Sequence, residues 1–161
     1  MKTLMYDVGD GRLFIGPHLL DVPDEAKRAA VSARRITMVV NLWRRRDDEL
    51  ALAVTRYHHL PLSDGLLSDE LFARYDGIAR VAAKHLDEGG NVLVQCYGGR
   101  NRSGLLAGLI TCCWRGVSGR EAVAAVRAGR GVSALNNRHF ATWLESLPAF
   151  DSTSANCSAS K

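Results

Sequence analysis

Long apolar runs are missing from this 161-residue chain, so no segment has the length needed to span a bilayer as a helix. Cysteine is scarce, with Cys96, Cys112, Cys113 and Cys157 only. Two of these are adjacent and one sits in a polar tail, which excludes a disulfide framework, and no CxxC pair suggests zinc. The first residues, Met1 to Asp7, carry no apolar core of a leader, so no secretory signal and a cytoplasmic location are expected. Aromatic residues make up only 7% of the chain and proline occurs four times. Lysine is also rare, with 4 lysines against 17 arginines, and the formal net charge is +4. That balance favours anionic partners, and the planar arginine fork suits phosphate better than lysine does. A GC-rich coding sequence produces the same bias, so composition alone names no ligand.

What is present is an ordinary globular composition, 47% hydrophobic and 24% charged, at a length that suits one domain. The domain is expected over residues 1–148, with a small, polar and disordered tail over 149–161. Strand and helix signals alternate along it. Leu4–Val8 and Leu13–Ile15 read as strands around the turn Gly9-Asp10-Gly11. Pro23–Ala33 reads as a helix with acids in its first turn and bases in its last. Ile36–Leu42 is an apolar, β-branched run that fits a buried strand, and Thr55–Leu60 is a further strand.

Ser68 caps a long helix to Leu86, with Leu71, Phe72, Tyr75, Ile78, Ala79, Ala82 and Leu86 as its apolar stripe. Asn91–Gln95 forms a short strand that runs into a glycine-rich turn, and a helix follows from Asn101 to Arg115. Ser118 with Glu121 makes a capping box, and Asn136 or Asn137 opens a last helix that Pro148 stops. This alternation predicts an α/β fold of three layers with a central, mostly parallel sheet.

The chemistry lies in the turn Cys96-Tyr97-Gly98-Gly99-Arg100-Asn101-Arg102-Ser103-Gly104. Backbone N–H groups converge in such a strand–loop–helix turn, and the helix start adds partial positive charge, so the turn is an anion cradle. Cys96 enters at its rim, where the oriented dipoles favour the thiolate. Arg102 returns at the helix start and can clamp two oxygens of a phosphoryl group.

Cys96-x5-Arg102-Ser103 resembles the signature loop of the cysteine-dependent protein tyrosine phosphatases, and the size resembles their small dual-specificity branch. The resemblance extends to Leu13-Phe-Ile-Gly16, to Ile36 through Leu42, to Leu60-Pro-Leu-Ser-Asp64 and to Glu121 through Arg130. It implies hydrolysis of phosphomonoesters of the phosphotyrosine, phosphoserine and phosphothreonine type, with a phosphorylated protein or peptide as substrate. Cys96 would be the nucleophile, Arg102 the phosphate clamp, Asp64 the general acid, and Ser103 the hydroxyl that eases departure of the sulfur. Tyr97, Gly98, Gly99, Arg100, Asn101 and Arg102 would line the phosphate. No metal and no cofactor is implied.

Two departures widen the reading. Gln95 stands where the family usually has histidine, and it cannot carry charge. Asn101 before Arg102 resembles the loop of cysteine-dependent RNA 5′-triphosphatases, which makes an RNA 5′ end or other polyanion an alternative substrate. A phosphate-binding pseudophosphatase is a further alternative. Arg44, Arg45, Arg46 and Arg130 are candidates for a basic substrate rim, with a solvated charge run as the plainer reading of the first three. His58-His59 point to opposite sides of a strand and do not share an ion. Cys112 and Cys113 read as core residues before any role in trapping an oxidised Cys96.

Overall fold

A computed structural model of the chain describes residues 3–149. The polar tail expected from residue 149 lies, from residue 150 onward, outside the described residues. Five strands, β1 (Tyr6–Gly9), β2 (Leu13–Pro17), β3 (Ile36–Asn41), β4 (Arg56–His59) and β5 (Asn91–Cys96), form one sheet in the order β1-β2-β5-β3-β4. β1 pairs antiparallel with β2, and every other pairing is parallel. Asp7 fixes the hairpin turn by accepting from the N–H groups of Gly9 and Gly11. The helices are α1 (Asp24–Ala33), α2 (Asp48–Ala53), α3 (Asp69–Asp87), α4 (Arg102–Arg115), α5 (Gly119–Arg130) and α6 (Arg138–Glu145).

The sheet carries a core on each face. Val92, Val94 and Cys96 of β5 belong to the larger core, together with the buried faces of α3, α4, α5 and α6. Leu93 belongs to the smaller core, with Phe14, Val31 and Leu50 on the α1 and α2 side. This two-residue alternation sends Cys96 towards α4 and Gln95 to the opposite face. Side-chain caps start four of the six helices: Asp47 for α2, Ser68 for α3, Ser118 with Glu121 for α5, and Asn137 for α6. α4 has no such cap, although Asn101 holds its N-cap position.

Two details differ from the sequence reading. The bases expected in the last turn of α1 fall past its end, because Arg34 is already the C-cap and Arg35 has a left-handed φ of 53°. The six-residue α2 was not foreseen. Its start explains Asp47, which is buried, accepts from Leu50 N at 3.0 Å, and receives Lys27 Nζ at 2.9 and 2.8 Å. Tyr57 Oη accepts from Asp47 N and from Asn41 Nδ2, so the segment between β3 and α2 is held from three sides. Among the described residues no helix is long and apolar enough to cross a membrane.

Removing one partner of a buried ion pair leaves an uncompensated charge. Lys27→Met should therefore lower the unfolding free energy by about 3–5 kcal/mol in urea at pH 7. A loss below about 1 kcal/mol, the size expected of an exposed pair, would contradict this account.

Candidate active site

β5 lies centrally in the sheet, so its end delivers Cys96 between β2 and β3. Cys96 is 2% exposed. Its thiol donates to Ser103 Oγ at 3.4 Å, across the turn from the first residues of α4. The loop between them is shaped by what holds its carbonyls. Arg130 Nε donates to Gly99 O at 3.0 Å and its Nη2 to Gly98 O at 3.4 Å, while Leu135 N donates to Arg100 O at 3.1 Å. In a trans peptide the N–H points opposite to the C=O. With three successive carbonyls drawn towards α5 and the segment after it, the N–H groups of Gly99, Arg100 and Asn101 face the other way. Gly99 has a φ of 66°, and a Cβ there would run into the backbone of Gly16 and Pro17. Glycine is required at that position on both counts.

The start of α4 completes the cradle. Its first N–H groups take no side-chain cap, so they are open to an anion. Arg102 Nη1 donates to Leu62 O at 3.2 Å, which fixes the guanidinium across from β4. Its Nε is buried and has no hydrogen-bond partner among the described residues. A buried arginine N–H without an acceptor marks where an oxyanion would be received.

Asp64 lies on the loop before α3, where Leu60 N and Leu62 N run alongside the end of β3 by donating to Asn41 O and Leu42 O. It is exposed. Its Oδ1 accepts from Asn137 Nδ2 at 3.2 Å. Asn137 also donates its backbone N–H to Asn101 Oδ1 at 2.9 Å. The side chain of Asn101 is thus occupied by the start of α6, which is why it does not cap α4. Asn137 links Asp64 to the loop of Cys96, a role that its reading as a helix opener did not reveal.

The remaining candidates divide. Arg100 is exposed on the loop, and Tyr97 is 61% exposed at its lip. Tyr97 meets Trp43 with ring centres 5.5 Å apart, and Trp43 stacks on His18 at 4.1 Å. Arg44 and Arg45 lie 6.0 and 5.7 Å from the Trp43 ring centre, which brings them to the mouth. Arg46 is directed elsewhere, to Asp48 at 2.9 Å and over the ring of Tyr57. Arg130, half-buried, braces the loop through its bonds to Gly98 and Gly99 with its guanidinium resting on Tyr6, and it lines a surface cavity together with Tyr97, Gly98 and Arg100. Gln95 is fully buried, and its amide donates to Pro17 O at 3.4 Å on the sheet face away from the sulfur. Cys112 lies in the core, where burial pushes its thiol up to about 12, so it stays protonated.

No protein-family model and no curated protein matches the sequence. Solved structures do match it. Tk-PTP in its active form is 25% identical with a TM-score of 0.70, over 90% of this chain and 98% of that one. A mouse putative dual specificity phosphatase complexed with zinc tungstate is 24% identical, with a TM-score of 0.74 over 90% and 86%. The fold is that of the small dual-specificity-like protein tyrosine phosphatases. Human DUSP28 matches at 23% identity and a TM-score of 0.72, over 90% and 93%. Within this fold Cys96 is hydrogen-bonded to Ser103, Arg102 stands beside them at the start of α4, and Asn137 ties Asp64 to Asn101.

Serine caps a helix as well as asparagine does but has no amide to donate. Asn137→Ser should keep the unfolding free energy within about 0.5 kcal/mol, while backbone amide exchange around Asp64 quickens several-fold. Unchanged exchange would show that Asn137 does not hold that loop.

Proposed function

We propose that the chain is a cysteine-dependent phosphatase that hydrolyses phosphomonoesters of phosphotyrosine, phosphoserine and phosphothreonine through a phosphocysteine. The observation that carries this is Cys96 hydrogen-bonded to Ser103 inside a loop whose carbonyls are turned outward, beside an Arg102 Nε that has no partner among the described residues. The Cys96 thiolate attacks phosphorus in line, forming an S–P bond as the P–O bond to the leaving group breaks. Loop N–H groups and Arg102 hold the equatorial oxygens, where charge builds. Asp64 gives its proton to the leaving oxygen, then as carboxylate takes one from the water that attacks phosphorus. The S–P bond breaks, inorganic phosphate leaves, and Ser103 donates its O–H to the departing sulfur.

Tungstate, with which the mouse neighbour is complexed, is a tetrahedral oxyanion of the shape this loop would receive. The tie from Asp64 to Asn137 favours phosphomonoesters over an RNA 5′-triphosphate, whose leaving group needs no acid. A phosphorylated protein or peptide is the expected substrate, and a cytoplasmic setting is the expected one.

Phosphate release from a phosphotyrosine peptide and from a 5′-triphosphorylated RNA tests the proposal side by side. Release from the peptide should vanish in Cys96→Ser and fall by about a hundredfold or more in Asp64→Asn. Release mainly from the RNA, insensitive to Asp64→Asn, would make Arg44 and Arg45 polyanion contacts and overturn the substrate assignment. Tungstate binding with no turnover of either would identify a pseudophosphatase.

A further inference from the structure

Shortly after β3, three arginines are followed by three acids, Arg44-Arg45-Arg46-Asp47-Asp48-Glu49, a run that reads in the sequence as neutralising itself. The structure pairs these charges differently. Asp47 is taken by Lys27 at 2.8 Å, Asp48 by Arg46 at 2.9 Å and Glu49 by Arg28 at 3.4 Å. Arg44 and Arg45 are exposed, and neither meets a carboxylate within ion-pair distance among the described residues. Their guanidinium groups lie instead by the ring of Trp43, 6.0 and 5.7 Å from its centre. An aromatic face steadies a guanidinium without neutralising it.

The backbone that carries the two cations is held at nearly every residue. Leu42 N donates to Gln95 O at 2.8 Å, and Trp43 N donates to Asn41 Oδ1 at 2.9 Å. The Trp43 carbonyl accepts from His59 Nε2 at 2.8 Å, and the Arg45 carbonyl accepts from Asn41 Nδ2 at 2.8 Å. Asp47 N donates to Tyr57 Oη at 3.0 Å. Ordering a surface segment costs conformational entropy, and a run of charges that is merely solvated needs no such anchoring. The Trp43 ring in turn lies 5.5 Å from that of Tyr97, the residue bonded to Cys96. Two cations without counter-ions are thus displayed on an anchored segment, one ring contact from the residue that opens the loop.

We propose that Arg44 and Arg45 form a subsite for carboxylates that flank the phosphorylated residue, so that the preferred substrate is an acidic phosphopeptide. An extended peptide advances about 3.3–3.6 Å per residue, which puts side chains within about four positions of the phosphorylated residue in range. Each guanidinium fork donates two parallel N–H bonds to a carboxylate. A nucleic-acid strand needs a longer track of cations. Arg46, which would extend this one, is paired with Asp48. The subsite deepens the reading of the chain as a phosphatase of phosphorylated proteins, and it rests on that reading.

The test is the affinity of the full chain carrying Cys96→Ser for fluorescein-labelled phosphotyrosine peptides, read by anisotropy. The four positions on either side of the phosphotyrosine are rich in aspartate in one peptide and in alanine in the other. The readout is the ratio of the two Kd values, which a partial loss of folded protein does not move. At low salt the aspartate-rich peptide should bind about tenfold tighter, as two exposed charge pairs allow. Added salt should shrink that ratio. Arg44→Glu with Arg45→Glu should reverse the preference, whereas Arg46→Gln should leave the ratio within about twofold. Equal binding of the two peptides, a preference that survives the double reversal, or an equal loss in Arg46→Gln would overturn the subsite and leave the phosphatase reading intact. Tighter binding of a 5′-triphosphorylated RNA that is lost with Arg44 and Arg45 would overturn it in favour of a nucleic-acid contact. The expected preference, with no phosphate release from either peptide by the wild-type chain, would uphold the subsite and overturn the phosphatase reading. Binding of neither peptide would overturn both.

Discussion

The geometry of the candidate site depends on one constraint, the outward pull on three carbonyls of the Cys96 loop. Arg130 takes those of Gly98 and Gly99, and the backbone at Leu135 takes that of Arg100. A loop with free carbonyls has no reason to turn its N–H groups to one side, and it would present a mixture of partial charges to an anion. Here the opposite end of each peptide is anchored in α5 and the segment behind it. The anion cradle is thus a property of the tertiary packing rather than of the loop alone. Arg130 acts on the peptide dipoles by holding them from behind, and its cation lies against Tyr6, where the ring face accommodates it.

A second constraint ties the loop of Asp64 to the loop of Cys96. Asn137 does three jobs with one residue: its carboxamide oxygen starts α6, its amide reaches Asp64, and its backbone N–H reaches Asn101. The exposed loop of Asp64 has little packing to define its place, so a hydrogen bond to a fixed helix end matters more there than in the core. On the far side of the mouth, the segment of Arg44 and Arg45 is fixed by the buried Lys27–Asp47 pair and by Asn41 and Tyr57. Both walls of the mouth are anchored below the surface, while Tyr97 and Arg100 at the lip are exposed.

Most of the fold was legible because its signals are local. The β-branched run of β3, the capping box of Ser118 and Glu121, the cap at Ser68 and the glycine-rich turn after β5 each act within a few residues. The helix α2 was not legible, since six residues give less than two turns of periodicity and Asp47-Asp48-Glu49 read as counter-charges to the arginines. In fact Asp47 is buried, and its partner Lys27 lies one helix and one strand earlier. The grouping of Cys96, Arg102 and Ser103 was readable from spacing within one turn. The roles of Arg130 and Asn137 were not, because each acts on a residue far away in sequence. Arg130 looked like a helix-end base and Asn137 like a cap, and both descriptions are true but incomplete.

The order of these parts along the chain has a consequence for synthesis. Cys96 and its strand emerge from the ribosome well before Arg130, Leu135 and Asn137 do. Until those last residues dock, nothing draws the loop carbonyls outward, and nothing ties Asp64 to the loop. A nascent chain that has already made its sulfur still lacks the arrangement that arms it. The loop's arrangement is completed only when almost the whole described chain is present, so a fragment released early carries Cys96 to Ser103 without the geometry that Arg130, Leu135 and Asn137 impose.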